Sequence, residues 1–226
     1  MNNHPELIVM LTWHDYTVTD AAQVFEQCKD SAARYWGFKE HPLSLQQMQQ
    51  LFARMRQCGK TTLLEVVAYT EAEGLAAVHH AAQCHCDIVM GTKYSDTIRD
   101  YCHSHGLRYM PFVGTVTGRP SVLTGTVDDI VAEARSLVDK GVDGIDLLAY
   151  RYAGDVPALM HALTSAVDVP VVMAGSIDSD ERLDQVCQSG AWAFTIGSAF
   201  FEHRFGESFG QQVDAVCRYV GGTGEV

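Results

Sequence analysis

The chain has 226 residues, 47% hydrophobic and 19% charged, with 28 acidic residues against 16 Lys and Arg and a formal net charge of −12. That composition excludes a disordered chain and is enough for one large domain with a real core. The acidic balance argues against binding nucleic acid or an anionic membrane, which needs a basic face, but leaves room for a small local cationic pocket.

Apolar, strand-like runs alternate with amphipathic segments along the chain. The first runs are LIVMLT (7–12) and ARYWGFK (33–39). SLQQMQQLFARMRQCG (44–59) follows, with Leu45, Met48, Leu51, Phe52 and Met55 on one helical stripe, Ser44 at the N-cap and Gly59 just past the end. Strands are expected at 61–68, 87–92 and 108–114. A helix at 126–141 is capped by Thr126, carries Asp128 and Asp129 in its first turn and closes at Gly141. Strands at 144–150, 170–176 and 193–199 follow, the last two separated by a helix at 179–190. Eight such units predict a parallel sheet closed into a single (β/α)8 TIM barrel over residues 1–220, with a frayed tail at 221–226. A doubly wound sheet is the alternative, but it usually needs fewer strands or longer extensions. No run reaches the ~18 apolar residues of a spanning helix. The opening MNNHPELIVMLT lacks a basic n-region, so no signal peptide is expected and the seven cysteines read as reduced thiols of a cytoplasmic protein.

In such barrels chemistry sits where strands end, on the βα loops. The expected strands bring Asp15, Lys39, Glu65, Lys93, Arg119, Asp146 and Arg151 to that mouth. Four of these are cations, so the mouth is expected to be locally positive and to take an anionic small molecule. Glu65 and Asp146 interrupt apolar strands. A buried carboxylate needs a partner or a function, so either proton transfer or a structural ion pair with Lys39 or Lys93 would account for them. Lys39 or Lys93 could instead form a Schiff base if an apolar, cationic mouth lowered its pKa.

The seventh and eighth strands both run into Gly-Ser, at Gly175–Ser176 and Gly197–Ser198. Backbone N–H groups, hydroxyls and a short helix after the last strand would together cradle a phosphate there. The alternative is that each glycine only relieves a tight turn. The closing segment PVVMAGSIDSDERLDQVCQSGAWAFTIGSAFF resembles that of the ribulose-phosphate-binding barrels. These include barrels of histidine and tryptophan biosynthesis, N-acetylmannosamine-6-phosphate epimerase and the glycerol-3-phosphate-responsive antiterminators. The barrel domain of quinolinate phosphoribosyltransferase is similar in outline. Roughly the last 60 residues carry the match, and many relatives have Gly-Gly where this chain has Gly175–Ser176.

The resemblance implies phosphate binding by Gly175, Ser176, Gly197 and Ser198. It leaves three readings: a lyase, aldolase, isomerase or epimerase of a phosphosugar or phosphorylated keto acid; a ligand-sensing regulator of the antiterminator type; and a phosphoribosyltransferase-like barrel. No cofactor is expected, and barrels of this type commonly form homodimers.

Five further segments do not read as sites. CGKTT (58–62) resembles the end of a P-loop but has Arg54 where the first glycine belongs, and it precedes a strand. HHAAQCHC (79–86) and YCHSH (101–105) end helices on the far face and lack metal-ligand spacing. His14, in WHDY, reads as a hydrogen-bonded loop residue, and YWGF (35–38) as core.

Overall fold

The computed structural model describes residues 4–222. In chain order, β1 (Glu6–Met10) leads into a hairpin of β2 (Thr12–Trp13) and β3 (Tyr16–Thr17). Then come α1 (Ala21–Cys28), β4 (Tyr35–Lys39), α2 (Leu45–Gln57), β5 (Thr61–Val66), α3 (Glu71–Gln83), β6 (Ile88–Gly91), α4 (Asp96–Ser104) and β7 (Arg108–Met110). A second hairpin, β8 (Thr115–Thr117) and β9 (Val122–Thr124), precedes α5 (Val127–Asp139), β10 (Ile145–Leu147), α6 (Val156–Thr164), β11 (Val171–Met173), α7 (Asp180–Gln188), β12 (Ala193–Ile196), α8 (Ser198–Phe201) and α9 (Phe209–Val220).

Eight of these strands are parallel neighbours in the order β10-β11-β12-β1-β4-β5-β6-β7. Only the β7–β10 seam lacks a ladder. There Phe112 faces Asp146 in a single parallel bridge, and the Asp146 N–H donates to the Pro111 carbonyl at 3.0 Å. Proline cannot donate in return, which ends β7 early. The sheet is thus a nearly closed α/β barrel, as the alternation of strand and helix predicts. Its strands are shorter than the apolar runs, several of which continue into buried loop residues such as Leu11, Val67 and Ala174.

The strands are apolar on both faces because both are covered. The inward positions Ile8, Met10, Leu63, Ile88, Met90, Met110, Val172 and Ala193 fill the barrel, and Tyr35 and Trp192 meet edge to face at 5.2 Å beneath them. The outward positions form a larger core with the helices, in which Trp36 and Phe38 of the YWGF run are fully buried. Alternation has a consequence for the site. Lys39 is in phase with Tyr35, Glu65 with Leu63, and Asp146 pairs with inward Val172, so all three point into the barrel.

Side-chain caps fix the helix starts. Ser44 makes a full capping box with Gln47, Thr126 accepts from the Asp129 N–H and Ser179 from the Arg182 N–H, each cap being worth about 1 kcal/mol. Among the described residues, no helix is long and apolar enough to cross a membrane. All seven cysteines are free. Of the tail expected to fray, only Gly221 and Gly222 lie among the described residues.

Candidate active site

The β2–β3 hairpin was not legible as such in the sequence, and it organises the mouth. His14 and Asp15 have φ of +48° and +67°. Two left-handed residues between paired strands make the type I′ turn that matches strand twist. The turn carries Asp15 back over the barrel. Its Oδ1 accepts from Lys39 Nζ at 3.0 Å and from Arg151 Nη2 at 3.2 Å. On its other side, Lys39 Nζ lies 3.5 Å from Glu65 Oε1. Deeper still, Asp146 is fully buried, and neither of its carboxyl oxygens has a hydrogen-bond partner.

The electrostatics follow from these neighbours. Burial penalises the charge on Lys39, but Glu65 and Asp15 outweigh it and hold the ammonium above its ordinary pKa. The expected depression of this lysine is therefore reversed: neighbouring carboxylates, which the strand order supplies, prevail over the apolar surroundings. Burial also opposes the charge on Asp15, yet Lys39 and Arg151 bring its pKa below the usual value. Asp146 goes the other way. Burial, reinforced by the charge of Glu65, raises it well above the ordinary carboxylate range and favours the neutral acid. Glu40 is raised as well, chiefly by burial.

A cavity of about 180 Å³ opens here, lined by Asp15, Lys39, Glu65 and Arg151 together with Gly175, Ser176, Gly197 and Ser198. Both glycines are demanded by close approach. A Cβ on Gly175 (φ +83°) would stand 2.8 Å from Arg151 Cγ. One on Gly197 would strike the Thr12 hydroxyl and sit 2.9 Å from the Thr12 carbonyl oxygen. Ser176 is also left-handed, at φ +55°. Its carbonyl accepts from Arg182, which also pairs with Asp178 at 2.9 Å and so clamps the loop. Ser198 opens α8 and accepts the His14 N–H at 3.0 Å, tying the hairpin to the last strand.

The four cations expected at one mouth are only partly assembled. Lys39 and Arg151 line the cavity and are both bridged by Asp15. Arg119 lines an adjoining chamber. Lys93 is exposed and lines neither, because β6 ends at Gly91 and Thr92 (φ +67°) turns the chain before it. The cavity is accordingly charge-paired and not simply positive. Asp146 lies below the lining. Ser121, Asp178 and Glu202 line the cavity without having been singled out in the sequence. Ser121 and Glu202 belong to segments with no motif of their own, and Asp178 lies in the closing segment two residues past Ser176.

The segments set aside as sites have structural partners. Lys60 Nζ donates to the Ser31 and Ala33 carbonyls at 2.8 and 2.9 Å, and Cys86 Sγ donates to the Ile88 carbonyl at 3.2 Å. No cluster among the described residues could hold a metal ion.

No family model and no curated protein matches this chain. The fold, in contrast, is shared by 851 solved chains, so by itself it selects no function. The structure resembles the glycerol uptake operon antiterminator regulatory protein of Listeria monocytogenes, with a TM-score of 0.59, 19% identity and 85% and 91% of the two chains covered. It resembles a native KDPGal structure at a TM-score of 0.69 and 16% identity, covering 94% and 93%. It also resembles the N-acetylmannosamine-6-phosphate 2-epimerase of Clostridium perfringens at 0.64 and 13%, covering 88% of each chain. At these identities the likeness shows the barrel fold alone.

Proposed function

We propose that this protein is an enzyme that moves a proton next to a carbonyl group on a small phosphorylated metabolite, as an isomerase or epimerase or in a lyase that proceeds through an enediolate. The observation that carries the reading is the contact between Lys39 and Glu65 on the wall of a cavity that the loops after β11 and β12 also line. Gly175, Ser176, Gly197 and Ser198 would hold the phosphate. Glu65 would take the proton from carbon, and the Lys39 ammonium would donate to the carbonyl oxygen and stabilise the charge that develops on it. A lysine kept charged by two carboxylates suits that electrostatic role and opposes a Schiff base, which needs the free amine.

The test is thermal unfolding against triose, pentose and hexose phosphates and their unphosphorylated counterparts. A ligand at ~100 times its dissociation constant adds about 2.7 kcal/mol of stability. Selective stabilisation is expected, lost in Ser176→Asp and Ser198→Asp. With the ligand in hand, Glu65→Gln should abolish exchange of solvent deuterium into it while binding persists. Binding with no exchange or turnover in the wild type would favour the ligand-sensing reading. No stabilisation by any phosphorylated compound would sink the phosphate assignment.

A further inference from the structure

The cavity above Lys39 has a neighbour at the same mouth. A second chamber, of about 340 Å³, adjoins it and shares Asp15, Lys39, Ser121, Arg151 and Ser198 as a common wall. Its far side is made by Tyr16, His41, Val67, Arg119 and Pro120. The two chambers differ in charge. The first has Asp15 and Glu65 against Lys39 and Arg151, with Asp178 and Glu202 paired outside the lining to Arg182 and Arg204. The second has Asp15 and Glu40 against Lys39, Arg119 and Arg151.

Arg119 is the distinctive group. Lys39 and Arg151 are already bridged by Asp15, whereas Arg119 makes no ion pair among the described residues. Its one hydrogen bond is from Nη2 to the Val67 carbonyl at 3.0 Å. The loop that carries it is held in place. Tyr69 Oη donates to the Gly118 carbonyl and meets Ser121 Oγ, both at 2.8 Å, and the Ser121 carbonyl accepts from Arg151 at 3.5 Å. An arginine fixed at one hydrogen bond, with the rest of its fork open to a chamber, suits a carboxylate or a second phosphate.

We infer that the second chamber is a subsite for a second anionic group, seated on Arg119, so that the ligand is a doubly anionic chain with its reacting carbons at the shared wall beside Lys39 and Glu65. This rests on the proposed phosphate site for the other end of the ligand. It narrows the substrate class to phosphorylated sugar acids, phosphorylated keto acids and bisphosphates, and disfavours phosphorylated polyols and aldoses with one charged end.

The experiment compares 6-phosphogluconate with sorbitol 6-phosphate, which differ in a carboxylate against a hydroxymethyl group, and adds gluconate. Binding is measured by calorimetry on the wild type, Arg119→Gln and Arg119→Lys, after thermal unfolding has shown all three folded. The wild type is expected to favour 6-phosphogluconate by about tenfold or more, the worth of one charge-assisted contact. Arg119→Gln should erase that preference and leave sorbitol 6-phosphate unchanged, and Arg119→Lys should restore part of it. Sorbitol 6-phosphate and 6-phosphogluconate binding alike in the wild type, or a preference that survives Arg119→Gln, would overturn the subsite and leave the phosphate site standing. Gluconate binding that depends on Arg119, with no contribution from phosphate, would uphold the subsite and overturn the phosphate site. No binding of any of the three would overturn both.

Discussion

The two ends of the barrel use the same residue types to opposite effect. At the end where strands begin, charged groups are satisfied locally. Lys60 donates to two carbonyls, Asp87 accepts from the Thr62 N–H and hydroxyl, each at 2.7 Å, and Asp143 accepts from the Tyr109 N–H at 2.8 Å. At the end where strands finish, Asp15 is shared between two cations, Arg151 Nε is buried without a partner and Asp146 has none for either oxygen. The first end ties strand starts together. The second keeps polar groups in reserve at a cost in stability, as expected of a site that must accommodate a ligand.

The contrast is sharpest between two lysines. Lys39→Met should reduce turnover by about 100-fold or more and destabilise the fold by about 3–5 kcal/mol, since Glu65 and Asp15 lose their buried partner. Lys60→Met should cost about 1.5–3 kcal/mol in urea unfolding and leave turnover intact. Equal effects of the two on turnover would erase the distinction between the ends.

Gly197→Ala should follow in size. The added methyl meets Thr12, and overpacking of this kind costs about 1–3 kcal/mol. Ligand binding should fall with it.

Asp146 offers a test by pH. Its folded pKa is raised, so between the ordinary value near 3.8 and that raised value the native state holds a proton that the unfolded chain has lost. Stability from this group therefore falls as pH rises through that window. Asp146→Asn, which cannot ionise, should gain on the wild type as pH rises from the ordinary value near 3.8 toward that raised value in denaturant titrations. A constant difference would mean that Asp146 is ionised in the native state.

The smallest effect is expected at Asp15, which is partly exposed. Asp15→Asn should shift stability by within about 1 kcal/mol. It should also tighten binding of anionic ligands roughly threefold, because Lys39 and Arg151 are freed from their internal competitor.

Much of this was legible in the sequence, for reasons that can be named. The barrel strands bury both faces, so they read as continuous apolar runs, and Ser44, Thr126 and Ser179 announce helices through cap chemistry that the structure confirms. Inward placement of Lys39, Glu65 and Asp146 follows from a period of two. The hairpins were not legible. Each strand of the first is two residues long, and its turn uses His14–Asp15 in place of the Asn-Gly or Asp-Gly that signals such a turn. Without the hairpin, the carboxylate that neutralises Lys39 and Arg151 is missing from any reading of the mouth's charge. Lys93 misled for a related reason: the apolar run marks where a strand lies, but not the residue at which pairing stops and the chain turns aside.

The ring of strands is unevenly sewn. The β4–β5 ladder registers five residue pairs, whereas the β7–β10 seam carries one bridge, at Asp146, and the backbone bond from the Asp143 N–H to the Tyr109 carbonyl at 2.9 Å. Local openings begin where few hydrogen bonds must break together. The amide proton of Asp146 should therefore exchange with solvent faster than those of Leu63 and Leu64, although all three residues are fully buried. The barrel would then breathe along the sparsely bonded seam that passes its buried acid, and filling the mouth with ligand should slow that breathing there before anywhere else.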